Sequence, residues 1–289
     1  MDELYSFPTF EAMCPNEERK LKKVREYLRY QYRTIFCYQQ CKYFINFFRL
    51  SNQWKHLFLH KPYRANTLLE KYCDARFGRQ ERLNAILNNF KLIERYFPVA
   101  LCSILSKEKE IELLCLNDEL RLCLSVNQID PLEGFWAISL KEQQQNMICQ
   151  ATFSFIEPDG LLISSVQGSN HVQALQMMRQ TTKKLHGMRP MFMLLAVFKL
   201  LSQHLNIKLF GIPHKYQVKY RWNDRSKLLF NYDDFWTENL AIRQKQYWAI
   251  PNQINLKPLT EIASNKRSMY RKRYKMFDEL EANLRQIFA

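Results

Sequence analysis

The chain has 289 residues, 47% of them hydrophobic, and a formal net charge of +15 at pH 7. So much apolar material can fill a sizeable core, which excludes a disordered or fibrous chain. The charge directs attention to anionic partners such as phosphates, nucleic acid or acidic lipid.

The opening MDELYSFPTF lacks the basic stretch followed by an apolar run that marks a secretory signal. The longest apolar run, Met191 to Phe198, is far short of the roughly 20 residues of a membrane span. Together these predict a soluble, intracellular protein. After the lead with Pro8 and Pro15, residues Leu21, Val24, Leu28, Tyr32 and Ile35 form one apolar stripe at helical spacing. Lys22, Arg25, Arg29 and Arg33 run beside it, and Arg19 to Arg33 carries seven basic residues against one acid. This pattern describes either an anion-facing, membrane-surface helix or a bundle helix with a solvated basic face; the second is the commoner case and the expectation. Further helices are predicted over Tyr43 to Leu50, Gln53 to His60, Ala65 to Arg76, Gln80 to Phe97 and Leu101 to Ser106, giving an all-helical region over 1–106.

From 107 to 289 the pattern becomes α+β. Short alternating runs at Ile111 to Leu116, Leu120 to Val126, Gly134 to Leu140, Met147 to Ile156 and Leu161 to Gln167 predict an antiparallel meander, turning at Asn117-Asp118 and at Pro158-Asp159-Gly160. Val172, Leu175, Met178, Thr182 and Leu185 then keep helical spacing until Gly187 stops them. Pro190 opens a second helix, 190–205, that is apolar on most sides. Ile207 to Ile212 adds a sixth strand. The fold class is thus α+β, a helical N-terminal portion packed on a mostly antiparallel sheet. Beyond it, Lys227 to Phe230 reads as an edge strand and the pair Asp233-Asp234 as a helix cap. Asn265 to Phe288 closes the chain as a helix whose first turns carry Lys266, Arg267, Arg271, Lys272, Arg273 and Lys275. A helix N-terminus is already partly positive, so cations crowded there point to a bound anion or an acidic surface.

The eight cysteines show no C-x-x-C pair and no histidine partners at zinc spacing, so reduced core thiols and no metal are expected. G-x-x-x-x-G-K-[ST], G-x-S-x-G and H-E-x-x-H are absent, and no nucleic-acid reader motif accompanies the basic runs.

Four strings resemble the VirK/YbjX family of Gram-negative bacteria: Gly160 to Gly168, His186 to Pro190, Lys227 to Trp236, and Ser264 to Tyr274. The resemblance covers most of the chain and implies a cytoplasmic protein linked to virulence and to resistance against cationic antimicrobial peptides, with no assigned reaction. A second resemblance, to GNAT-type acyltransferases, lies in the order strand, glycine turn, buried helix, strand. It differs in the helix inserted before the turn and in Pro190, which stands where that pattern has a glycine. It implies a coenzyme A thioester as cofactor, held at Gly187, Met188 and Arg189, with the acyl group lying along Ser164 to Gln167 where the sheet splays. The general base would come from His171, His186, His214 or Asp233, and His186 and His214 bracket the buried helix. The rival class is a non-enzymatic basic protein at the inner face of the envelope, binding anionic lipid, nucleic acid or an acidic partner through its two basic stretches.

Overall fold

A hairpin at the centre of the chain, β4 (Met147–Ile156) and β5 (Gly160–Gly168), is the middle of an eight-stranded sheet of order β1-β2-β3-β4-β5-β6-β8-β7. The computed structural model describes residues 5–14, 19–51, 53–116, 119–143, 146–169, 173–221, 223, 228 and 230–289. Strands β1 (Ile111–Leu116), β2 (Leu120–Val126) and β3 (Trp136–Glu142) join the hairpin as an antiparallel meander. The expected turn at Asn117-Asp118 lies outside the described residues. Strand β6 (Lys208–Gly211) pairs with β5 in parallel, after a crossover through the helices α8 (Ala174–Lys184) and α9 (Pro190–His204).

The predicted sheet of six strands becomes eight through β7 (Ile242–Arg243) and β8 (Trp248–Ile250), which pairs with β6. Two- and three-residue strands are too short to establish an alternation in sequence. The edge strand expected over Lys227 to Phe230 lies partly outside the described residues.

Alternation along β4 sends neighbouring side chains to opposite faces and so defines two layers of helices. Phe153 meets Phe198 of α9 with ring centroids 5.2 Å apart. On the other face Ser154 Oγ donates to Asn89 Oδ1 (3.0 Å) and pairs with Tyr72 Oη (2.8 Å). That face carries the N-terminal layer: α1 (Phe10–Met13), α2 (Lys20–Phe36), α3 (Tyr38–Leu50), α4 (Lys55–His60), α5 (Asn66–Leu69), α6 (Arg79–Tyr96) and α7 (Val99–Ser106). α6 starts where Glu81 reaches back to accept the Gly78 N–H at 2.7 Å, half of a capping box. The remaining elements are α10 (Tyr232–Glu238), beside the end of β6, and α11 (Ser264–Ile287), which packs on α9 and β1. One continuous hydrophobic core spans both layers and the sheet, and Trp54 meets Trp136 across it with centroids 5.4 Å apart.

One predicted helix is shortened. The run Ala65 to Arg76 leaves helical geometry after Leu69, and Cys73 takes a φ of +53°. Tertiary contacts override propensity there: buried Tyr72 bonds Ser154, and Asp74 makes a bridge to Gln217.

Candidate functional site

The residues expected to do acid–base chemistry are dispersed. His171 lies outside the described residues. His186, with φ +53°, ends α8 against α11, where its carbonyl accepts a bond from Arg273 Nη2 at 2.6 Å. Burial, helped by Lys272 and Arg273, lowers its imidazole pKa. His214 and Asp233 do come together, but as a bracket. Asp233 Oδ1 accepts the His214 backbone N–H (3.0 Å) and the Trp248 indole N–H (2.8 Å), tying α10 to β8 and to the exit of β6. The expected Asp233-Asp234 cap is corrected by one step: Asn231 caps α10, its Oδ1 accepting from the N–H groups of Asp233 (3.1 Å) and Asp234 (3.3 Å). The two acids occupy the first turn, where the helix dipole favours them.

The turn expected to cradle a pyrophosphate spends its donors internally. Gly187, at φ +78°, donates to the Thr182 carbonyl (2.8 Å) and Met188 to that of Leu185 (3.1 Å), a glycine stop for α8. The Arg189 guanidinium pairs with Glu238 and stacks 3.9 Å over the Phe192 ring. The splay beside Ser164 to Gln167 exists, because β6 ends opposite Ile163, but the protein fills it. The buried Tyr232 hydroxyl accepts the Val166 N–H (3.0 Å) and donates to the Val166 carbonyl (3.1 Å), replacing both bonds of the missing strand. Gln167 Nε2 donates to Glu133 Oε2 (3.3 Å), and Lys219 Nζ lies 3.1 Å from Glu133 Oε1. Burial raises the Glu133 pKa against the opposing pull of Lys219. Thr152 and Ser164 donate to the Glu133 backbone carbonyl, so this residue is knit into the wall beneath the splay.

The chemically distinctive feature is a cavity of about 340 Å³ between α9, α11 and two loops. Its walls include Phe192, Leu195 and Ala196 from α9, Tyr270, Tyr274 and Phe277 from α11, and Leu240, Ile254 and Leu256 from the loops. Met188, expected at a cofactor, lines it as well. Three cations line this space, the exposed Lys257 and the less exposed Lys199 and Arg273. Lys199 is 8% exposed and its Nζ has one long bond, 3.4 Å to the Gln253 carbonyl. Burial lowers its pKa. Arg273 stacks 4.5 Å from the Tyr270 ring, and its buried Nε has no hydrogen-bond partner among the described residues. Of the other cations expected to hold an anion, Arg267 Nε donates to the Ile262 carbonyl (2.9 Å), while Lys266, Arg271 and Lys272 are exposed on the first turns of α11.

The second basic stretch corrects the expectation of a bundle helix. α2 buries none of its residues, and its apolar stripe faces solvent, with Leu21 89%, Leu28 62% and Ile35 71% exposed. The inner side is held by Tyr27 and Tyr30 against Phe10, and by Arg33 with Glu70 at 2.6 Å. Arg25 and Arg29 line a shallow groove with Leu21, Val24, Leu28 and Tyr32, and share Glu26 at 3.2 and 2.8 Å.

Comparison with known proteins agrees with this picture at the level of family. The chain is 45% identical over 286 residues to an uncharacterized protein of Haemophilus influenzae, covering 98% of each. It is 28% identical over 222 residues to the membrane protein LapB of Mannheimia haemolytica, covering 76% of this chain and 96% of that one. To the uncharacterized protein YbjX of Escherichia coli it is 24% identical over 267 residues, covering 83% and 79%. No solved structure matches, and nothing in these comparisons supports the GNAT resemblance. The profile of a family described as "protein of unknown function (DUF535)" matches residues 19–286, and the chain therefore belongs to this family, the VirK/YbjX family of bacterial proteins.

Proposed function

We propose that this protein docks on an anionic membrane surface through α2 and acts there without crossing the bilayer. The observation that supports the reading is the stripe of α2, apolar residues turned to solvent with arginines beside them. An in-plane amphipathic helix needs that combination, since the apolar side chains enter the headgroup boundary and the cations meet acidic lipid. No helix among the described residues is long and apolar enough to cross a membrane, so contact at the surface is the mode this helix offers. The relative from Mannheimia haemolytica is named a membrane protein, which accords with the reading. So does the implied link to virulence and to antimicrobial-peptide resistance, because cationic peptides attack the same acidic lipid. The inner face of the envelope is the surface proposed.

The test is co-sedimentation with vesicles of phosphatidylcholine alone or with added phosphatidylglycerol, at low and high salt. Binding is expected only with the acidic lipid, weakening as salt rises, since each basic residue near such a surface contributes about 1 kcal/mol. The triple change Leu21→Gln, Val24→Gln, Leu28→Gln is expected to abolish sedimentation while leaving the thermal midpoint unchanged, because these side chains bury nothing in the fold. Equal binding by that variant, or tighter binding to a DNA duplex than to acidic vesicles, would refute the proposal.

A further inference from the structure

The geometry points to a second, separate site: we infer that the cavity between α9 and α11 binds a single apolar chain ending in an oxyanion, with the chain among Phe192, Leu195, Ala196 and Phe277 and the anion at Lys199 and Arg273. The volume, about 340 Å³, lies within the usual range for small-molecule sites, though near its lower limit, and the lining sets an apolar wall from α9 and Phe277 against polar groups that include Lys199, Asn239, Asn255 and Arg273. What selects the ligand is the charge. A lysine 8% exposed, whose ammonium has a single 3.4 Å bond to a neutral carbonyl, is a largely buried cation that is only weakly compensated. Arg273 adds an unpartnered Nε on the facing helix.

Other titratable groups at the cavity leave the balance positive. Lys257 stands on the loop, Tyr270 and Tyr274 on α11, and the one acid lining it, Glu238, pairs outward with Arg189. Among the described residues both cations bond only to neutral carbonyls, so a carboxylate or phosphate would supply a charged partner, in surroundings that strengthen a charge-assisted bond. A quaternary ammonium or a neutral alcohol would not. Lys199 sits mid-helix in a run where nearly every neighbour is buried, a position any apolar residue would fill at lower cost. The lysine is thus best explained by what it binds.

Calorimetric titration with dodecanoate, dodecyl phosphate, dodecanoyl-coenzyme A and dodecyltrimethylammonium, each below its micelle concentration, tests the inference. Dodecanoate or dodecyl phosphate is expected to bind at least tenfold more tightly than the ammonium amphiphile, and the tighter of the two identifies the anion. Binding of the coenzyme A thioester at equal strength would count against the inference, because the thioester puts a neutral group where the chain must end in an anion. Lys199→Met and Arg273→Met are each expected to weaken anion binding at least tenfold. Lys199→Met is also expected to leave the melting midpoint at or above that of the parent, because the lost ammonium is one whose burial opposes folding. Ala196→Phe, which fills the cavity, is expected to remove binding of every probe. Equal affinity for the cationic amphiphile, unchanged affinity in both methionine variants, or no binding of any probe would overturn it. These monomeric amphiphiles do not require α2, so the result is independent of the vesicle test.

Discussion

Arg64→Met is expected to cost about 3–5 kcal/mol of stability, the usual consequence of removing one partner from a buried ion pair, and to lower the melting midpoint by about 6–10 °C. Arg64 is fully buried beneath α4, where its Nη1 donates to the Leu57 carbonyl (2.9 Å). The guanidinium grips Glu108 at both carboxylate oxygens, 2.9 and 3.0 Å, and Gln128 and Lys61 add further contacts at 2.9 and 3.2 Å. Methionine keeps the volume but leaves that carboxylate with its main partner gone. The pH dependence follows. Burial alone would raise the Glu108 pKa, but the bonds from Arg64, Gln128 and Lys61 prevail and hold it at about 2, below its ordinary 4.5. A carboxyl depressed by folding stabilises fully above its unfolded pKa and loses that contribution as pH falls through the folded one. The parent therefore weakens between about pH 4.5 and 2, whereas in the variant, left with Gln128 and Lys61 alone, this limb is smaller, and denaturant titrations should find the gap between them narrower at pH 3 than at pH 7. A cost below about 1 kcal/mol at pH 7 would show that the pair is not structural.

Gly211→Ala is the second large effect, about 3 kcal/mol destabilising. A Cβ at Gly211 would come 2.4 Å from Trp236 Cε2 and 2.7 Å from two further ring atoms. The indole cannot yield readily: it is fully buried, its Nε1 donates to the Ile212 carbonyl (2.9 Å), and Phe235 and Tyr232 pack around it. Since Trp236 belongs to α10, the displacement should also move Glu238 to Leu240, which line the α9/α11 cavity. Adding Trp236→Phe, which shortens the ring system, is expected to restore part of the loss. If Gly211→Ala alone melts with the parent, the close packing of α10 on β6 is not what fixes this glycine.

Much of this architecture was legible in the residues. The meander, the glycine stop at Gly187, the proline start at Pro190 and the buried helix that follows each carry a local signal, in periodicity or in backbone chemistry, and each is found where the sequence places it. What escaped depends on distant partners. The exit from helix after Leu69 is decided by Ser154 and Gln217, and the filling of the splay is decided by Tyr232, 66 residues from Val166. The charge of α2 was read correctly, but the orientation of its apolar stripe is a tertiary fact that no stripe reveals by itself. Lys199 did leave a trace, as a lone lysine inside an otherwise apolar helical face; a search for histidines and acids passes over it.

The strip Cys73 to Arg76 has a bearing on how this protein is made. Cys73 donates to the Leu132 carbonyl, Ala75 to that of Tyr216, and Arg76 to that of Gln246 while stacking 3.9 Å from the Tyr216 ring. Residues synthesised about a quarter of the way along the chain thus wait for partners at Leu132, Tyr216 and Gln246. The helices before them can collapse early on the ribosome, but the seam that joins them to the sheet cannot close until residue 246 has emerged. Topology of this kind slows folding and prolongs the exposure of unfinished surfaces. A ribosome-bound intermediate arrested before Gln246 should consequently remain open to protease at Cys73 to Arg76 while its N-terminal helices already resist.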